Sequence, residues 1–299
     1  MPDLRSLEVF YWTASLSSFS RAAERLNTTQ PAVSQRVAAL ERAFGLSLFE
    51  RQARSVALTA KGRELLVYAE RFLRLRTEMM GAIAGPAATT GVLRLGVSET
   101  IVHTWLMRFI ARMGEVYPGV AVDVAVDVSP IMRDALLRGD LDLALLVGPI
   151  TMPRLVNRPL CSFSVAWIAA PGLAFGPEPV TLAELVRHPI ITYPKNTNPY
   201  VQLHELLARS NLPPPRLYSN ASLSTIVRMA VEGLGVGVIP PDTVRREIDA
   251  GQLRVLRTEA RLPDIGFTAT YANTPDCGLA AAAAGLAAEV AAGWAPADA

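Results

Sequence analysis

The chain has 299 residues, with 29 Lys and Arg against 27 Asp and Glu and a formal net charge of +2, a length that excludes a lone small domain. Two widely separated cysteines, Cys161 and Cys277, form no C-x-x-C pair, and His103, His188 and His204 share no i,i+4 spacing. The sequence therefore implies no disulfide scaffold, no metal and no other cofactor. No apolar run approaches the roughly eighteen residues of a membrane helix, and the opening MPDLRSLEVF lacks a signal-peptide pattern. These features predict a cytoplasmic protein with no membrane partner. The charge is unevenly held: residues 1–80 carry twelve Lys/Arg and eight Asp/Glu, and the remainder seventeen and nineteen. Positive charge thus sits in the first segment, as a nucleic-acid contact region requires.

In chain order, Leu4, Leu7, Phe10 and Tyr11 recur at helical spacing and predict a first helix that ends within 15–18. A second helix follows Ser18, with Phe19, Ala22, Ala23 and Leu26 inward and Arg21, Glu24 and Arg25 outward; Asn27 closes it. Thr28 or Thr29 caps a third, and Pro31 sits in its first turn, where a missing N–H is tolerated. Val33, Val37 and Leu40 make its buried stripe, which leaves Thr29, Gln30, Pro31, Ser34, Gln35 and Arg36 as a surface for the DNA major groove. Glutamine pairs bidentately with adenine, serine bonds a base edge or phosphate, and arginine suits guanine or phosphate. The arm over 44–59 is pinned by Leu46, Leu48 and Phe49 and reads as a short hairpin, with Arg51 and Arg54 meeting the backbone or minor groove. A solvated face on a small helical bundle is the plainer alternative.

The ordered string Ala22-Ala23, Leu26, Thr29-Gln30-Pro31-Ala32-Val33-Ser34, Val37, Leu40-Glu41, Gly45-Leu46, Leu48-Phe49-Glu50-Arg51 and Leu58-Thr59-Ala60-Lys61-Gly62 resembles the signature of the LysR-type transcriptional regulators. The resemblance implies a winged helix-turn-helix over 1–58, with the matching residues as its core, recognition helix and wing. The next segment carries Leu65, Leu66, Ala69, Phe72, Leu73, Leu75 and Met79 in one helix reaching about residue 84. Its apolar residues lie on more sides than its own module can cover, which calls for a second chain. In the resembling family this is the linker helix, here placed with its hinge at 59–90, pairing antiparallel in a homo-oligomer, a dimer or a tetramer. Two-fold pairing suits paired DNA half-sites.

Gly85-Pro86-Ala87-Ala88-Thr89-Thr90-Gly91 reads as a hinge. Beyond it, strands over 92–97, 120–128 and 141–147 alternate with helices over 101–117 and 131–138. Then come strands at 163–169, 190–193, 217–219 and 236–239, with helices at 182–186, 199–210 and 223–232. Late strands at 255–256 and 265–271 precede an alanine-rich terminal helix, and 265–271 returns to the first block. Alternation of this kind predicts mostly parallel sheets covered by helices, in two α/β lobes with a cleft between them.

Gly139-Asp140-Leu141-Asp142-Leu143-Ala144 and Glu232-Gly233-Leu234-Gly235-Val236-Gly237-Val238-Ile239-Pro240 extend the resemblance to the family's effector-binding half, which is itself similar to periplasmic binding proteins. The expected fold is therefore α/β: an N-terminal winged helix-turn-helix joined by a long linker helix to a two-lobed, periplasmic-binding-protein-like effector domain over 91–299. Lobe I is expected at about 91–161 and 266–299, and lobe II at about 162–265. The glycines at 233, 235 and 237 leave a helix and enter a strand, opposite to a dinucleotide-binding loop.

Strand ends that run into helix starts offer unpaired N–H groups to a small anion. Such junctions are Ser98-Glu99-Thr100, Asn196-Thr197-Asn198 with Lys195 alongside, Asn220-Ala221-Ser222, and Ser129. The resemblance implies that Ser98, Thr100, Ser129, Asn196 and Thr197 contact a small organic effector, a carboxylate; each is alternatively only a helix cap. Glu99 is compatible with an anion there only if it points away. His103, Trp105 and Tyr193 are expected as aromatic walls, with Trp105 alternatively in the core. The reading is a regulator whose partners are double-stranded DNA, the effector, further copies of itself and RNA polymerase. An enzyme built on Ser98, Glu99 and His103 lacks a G-x-S-x-G elbow, and a transport-type solute-binding protein leaves the basic N-terminal module without a purpose.

Overall fold

The computed structural model describes residues 3–50, 56–210 and 212–294, and the chain divides into two units. The first unit, Met1–Thr89 with Ala272–Leu279, holds α1 (Leu4–Leu16), α2 (Phe19–Arg25), α3 (Gln30–Phe44) and α4 (Ala60–Ala84). Each of these helices starts on a side-chain cap. Asp3 accepts from Ser6 N–H at 2.7 Å, Ser18 from Arg21 at 3.2 Å, Thr29 from Ala32 at 3.4 Å and Thr59 from Gly62 at 3.0 Å. Thr29, rather than Thr28, is thus the cap of α3, satisfying one of the helix's free N–H groups. Phe10, Trp12, Ala22, Val33, Val37 and Leu40 bury one face of each of the first three helices, and Ala69 and Leu73 bring in α4. In α3 the stripe read at helical spacing, Val33, Val37 and Leu40, is the stripe that packs, whereas in α1 Phe10 and Tyr11 are buried and Leu4 is exposed.

After α3 the chain returns through Leu48 and Phe49, both buried, and Phe49 pairs antiparallel with Leu58. Glu50 N–H donates to Ala57 O at 2.9 Å, giving the root of a two-stranded arm. Arg51 and Arg54 lie outside the described residues. Gly62 packs its backbone on the root: a Cβ there would collide with the Leu48 carbonyl oxygen. A side chain at that position would push α4 off the module.

The second unit, Thr90–Tyr271 with Ala280–Ala299, contains two five-stranded sheets. It opens with β1 (Thr90–Val97), α5 (Glu99–Val102), α6 (Leu106–Val116), β2 (Gly119–Val126), α7 (Ser129–Arg138), β3 (Leu143–Val147) and β4 (Leu155–Phe163). It continues with β5 (Ala166–Ala169), α8 (Leu182–Leu185), β6 (Ile190–Thr192), α9 (Asn198–Ala208), β7 (Leu217–Ser219) and α10 (Leu223–Val231). Last come β8 (Val236–Ile239), α11 (Arg245–Asp249), β9 (Arg254–Val255), β10 (Ile265–Ala272) and α12 (Gly278–Ala292). The sheet orders are β2-β1-β3-β10-β4 and β7-β6-β8-β5-β9. In the first, β1 lies parallel to β2 and β3; in the second, β6 lies parallel to β7 and β8.

The sheets are mixed rather than mostly parallel, because β10 runs antiparallel to β3, and β5 antiparallel to β8 and β9. Two further expectations are corrected. The single helix over 101–117 is two, α5 and α6, broken where the Thr104 hydroxyl donates back to the Thr100 carbonyl at 2.8 Å and competes with the helical ladder. The single strand over 163–169 is two strands in different sheets, separated by the Ser164–Val165 crossover. The earlier of them, β4, contains Pro159 and lies at a sheet edge, where a residue without an N–H is tolerated. The return of 265–271 to the first sheet stands, as β10 beside β3.

Within the first sheet, the Gly139-Asp140-Leu141-Asp142 segment has a visible role. Asp142 takes the Arg94 guanidinium in a two-point grip at 2.6 and 3.0 Å and also accepts the Arg94 N–H at 2.9 Å. The half-buried pair fixes the entry of β3 beside β1, and the bidentate geometry makes it stiffer than a single contact.

Candidate functional site

Two surfaces gather the residues singled out by sequence. On the first unit, Thr29, Gln30, Pro31, Ser34, Gln35 and Arg36 all lie exposed at the start of α3, while Val33, Val37 and Leu40 on its other side are buried. The helix dipole places positive potential at this end. Arg36 has Asp3 at 3.8 Å, a loose, solvent-exposed pair that leaves its guanidinium available. Glu41, which belongs to the family-like string but has no role that sequence assigns, holds the arm: its carboxylate accepts from Leu48 N–H at 2.7 Å and Phe49 N–H at 3.3 Å. The signal is present in the Leu40-Glu41 pair, but only the chain reversal shows what the carboxylate bonds.

On the second unit, a cleft of about 570 Å³ lies between the sheets, within the size range of small-molecule sites. Ser98, Thr100, Ser129, Asn196 and Thr197 all line it. The gathering has a topological cause. Ser98 follows β1, Asp127 follows β2 and Gly148 follows β3, while Tyr193 follows β6 and Ala221 lies just beyond β7. Ligand crevices form outside the carboxyl ends of parallel strands, and here both lobes present that end.

Four of the five polar residues are differently committed. Ser98 is 9% exposed and its hydroxyl makes no hydrogen bond among the described residues. Ser129 Oγ accepts from Val147 N–H at 3.0 Å and keeps its proton to donate. Thr197 Oγ1 donates to Pro194 O at 2.7 Å, so that it can only accept further. Asn196 is exposed and lines the cleft; its exposed neighbour Lys195 is not part of the lining.

Of the expected aromatic walls, Tyr193 alone lines the cleft. His103 is exposed elsewhere, and Trp105 is fully buried in the first lobe, where the break between α5 and α6 turns it inward. Burial pushes the Tyr193 phenol well above its ordinary range, against the opposing effect of the neighbouring Thr100 hydroxyl, so the phenol stays protonated. Sequence reading missed Pro149, Ile150 and Ile265 in the lining, apolar residues brought in only by strand order. Glu99 does not point away: its carboxylate reaches the second lobe and accepts the N–H of Leu223 at the start of α10.

Among the described residues no group of three His, Cys, Asp or Glu side chains is placed to hold a metal ion, and no helix is long and apolar enough to cross a membrane.

Residues 4–63 match the family model of the bacterial regulatory helix-turn-helix protein, lysR family, and residues 86–291 match the LysR substrate binding domain. The regulator BbuR of Bordetella bronchiseptica is 30% identical over 270 residues, covering 90% of this chain and 82% of the relative. GltR of Bacillus subtilis is 27% identical over 84% of each chain. ArgP of Mycobacterium tuberculosis shares the fold, with a TM-score of 0.65 at 20% identity over 98% of both chains. Neither enzyme nor transport protein fits a chain matched along its length by both halves of a DNA-binding regulator. This protein is a member of the LysR family of DNA-binding transcriptional regulators.

Proposed function

We propose that the protein reads a two-fold or near-two-fold DNA site as a dimer or tetramer and that a small organic carboxylate, bound between the lobes, changes its geometry on that site. Three segments share this work, in that 1–58 binds DNA, 59–90 pairs two chains and provides a hinge, and 91–299 senses the effector. Thr29, Gln30, Pro31, Ser34, Gln35 and Arg36 enter the major groove, and Arg51 and Arg54 of the arm meet the backbone or minor groove. In the cleft, Ser98, Thr100, Ser129, Asn196 and Thr197 hold the effector through hydroxyl, amide and backbone N–H donors. Control of a promoter makes RNA polymerase a further partner.

One observation carries this reading: the polar start of α3 is exposed along its length while the same helix buries a continuous apolar stripe. A solvated bundle face needs no such concentration of glutamine, serine and arginine at a capped helix N-terminus. The effector half rests on the five polar residues meeting in one cleft. A ligand moves the equilibrium only by its difference in affinity for two arrangements, and a cleft between lobes supplies such a difference when closure changes its contacts. Footprinting of the protein on its own promoter region is expected to show sequence-selective protection over tens of base pairs. Uniform protection of random duplex, with or without candidate metabolites, would overturn the reading.

A further inference from the structure

The start of each long helix facing the cleft needs partners for its free N–H groups, and the two from the second lobe are served differently. At α10, Leu223 N–H goes to the Glu99 carboxylate of the first lobe, and Thr225 N–H to the Ser222 hydroxyl at 3.3 Å. At α9, an eleven-residue helix, there is no side-chain cap. Thr197 turns its hydroxyl back to Pro194, Pro199 brings no N–H, and the N–H groups of Asn198 and Tyr200 have no partner among the described residues. A second, independent feature belongs to the same lining. Tyr193 lines the cleft, and its enclosed hydroxyl lies beside Thr100 yet makes no hydrogen bond of ordinary geometry.

The charges around the cleft are not those of a plain anion site. Its ionisable lining is Glu99, Asp127, Arg133 and the neutral Tyr193 phenol. Arg133 pairs with its neighbour Asp134 at 2.8 Å in a solvent-exposed contact that uses one side of its guanidinium. Among the described residues, the lining therefore offers two carboxylates against one cation, Arg133, which has Asp134 beside it. One Glu99 oxygen accepts from Leu223, and Glu99 is itself part of the cleft lining, so its charge bears on whatever binds there. A simple carboxylic acid finds hydrogen-bond donors at α9 and repulsion from Glu99.

We propose that the effector is a small zwitterion, its carboxylate at the start of α9 and its ammonium group against Glu99, and that Glu99 is the residue that sets this selectivity. The proposal rests on the cleft being the effector site. Tyr193 supplies a neutral O–H donor between the two ends. Asp127, an exposed member of the lining, adds to the preference for the cationic group, since its like charge disfavours a second carboxylate.

The test is calorimetric titration of the full-length protein with matched pairs, after a thermal-shift screen of α-, β- and γ-amino acids and the corresponding hydroxy acids. At least one amino acid is expected to bind tenfold or more tightly than its hydroxy counterpart. Glu99→Gln is expected to reduce that ratio to threefold or less, and Glu99→Asp, which keeps the charge, to retain most of it; melting curves confirm that both variants fold. Equal binding of the pair, no binding of any amino acid, or an unchanged ratio in Glu99→Gln overturns the proposal. A separate arm tests the site itself. Thr197→Trp, which fills the cleft, is expected to abolish binding of both members of a pair. Undiminished binding by that variant places the ligand elsewhere and overturns the cleft reading, whatever the ratio.

Discussion

Gln30 and Arg36 are both exposed in the first turns of α3, but their chemistry on DNA differs, because an amide reads a base edge and a guanidinium beside a phosphate reads only charge. Gln30→Ala is expected to flatten the preference among related DNA sites, costing about 1–3 kcal/mol at the preferred one. Arg51→Ala, in the arm, is expected to weaken many sites alike. Competition binding against single-base variants of the site separates the two; equal loss of selectivity in both would contradict the division. Glu41 acts differently, through folding. Its carboxylate accepts two backbone N–H groups at the return of the chain, and such charge-assisted bonds contribute about 1.5–3 kcal/mol each when their donors would otherwise be buried unpaired. Glu41→Ala is expected to lower the urea midpoint of the first unit's unfolding, with Glu41→Gln restoring part of the loss. Sequence reading reaches the exposed polar residues at the start of α3 through periodicity but not the role of Glu41, whose partners come from residues seven and eight positions away.

At the level of the element, α4 carries its apolar residues on two sides. Ala69 and Leu73 are buried in the module, whereas Phe72 is 56%, Leu75 63% and Ile83 83% exposed. A helix apolar beyond its own core invites a partner, and a second copy of the same helix satisfies it symmetrically. Leu75→Glu combined with Ile83→Glu is expected to shift the protein toward monomer by sedimentation velocity, with the melting of the second unit unchanged. An unaltered oligomer would place the pairing surface elsewhere. The extent of α4 is legible because its pattern runs uninterrupted from Leu65 to Met79. The helix over 101–117 is not, because Thr104 breaks the ladder by a side-chain bond that apolar spacing does not register, and β4 escapes notice because Arg158 and Pro159 interrupt its pattern.

For the whole molecule, electrostatics and topology set the behaviour. A chain of net charge +2 binds duplex DNA through local positive segments rather than a global field, so its affinity depends on phosphates neutralised at each half-site. If a dimer makes roughly 6–10 phosphate contacts, affinity is expected to fall about 10³–10⁵-fold between 50 and 200 mM salt. A gel-shift salt series checks this, and a flat dependence would argue against backbone anchoring by the arms.

The sequence by itself determined the buried stripe of α3, the span of α4 and most strand positions, and narrowed the α3 cap to Thr28 or Thr29, because these depend on neighbours within a few residues and on periodicity. It also located the five polar residues, since each stands at a strand-to-helix junction. Tertiary structure alone decided that those junctions share one cleft, that both sheets are mixed, that Trp105 turns inward and that Glu99 reaches α10. Glu99 and Leu223 stand 124 positions apart. Strand order and lobe crossovers, which no local pattern encodes, bring such residues together.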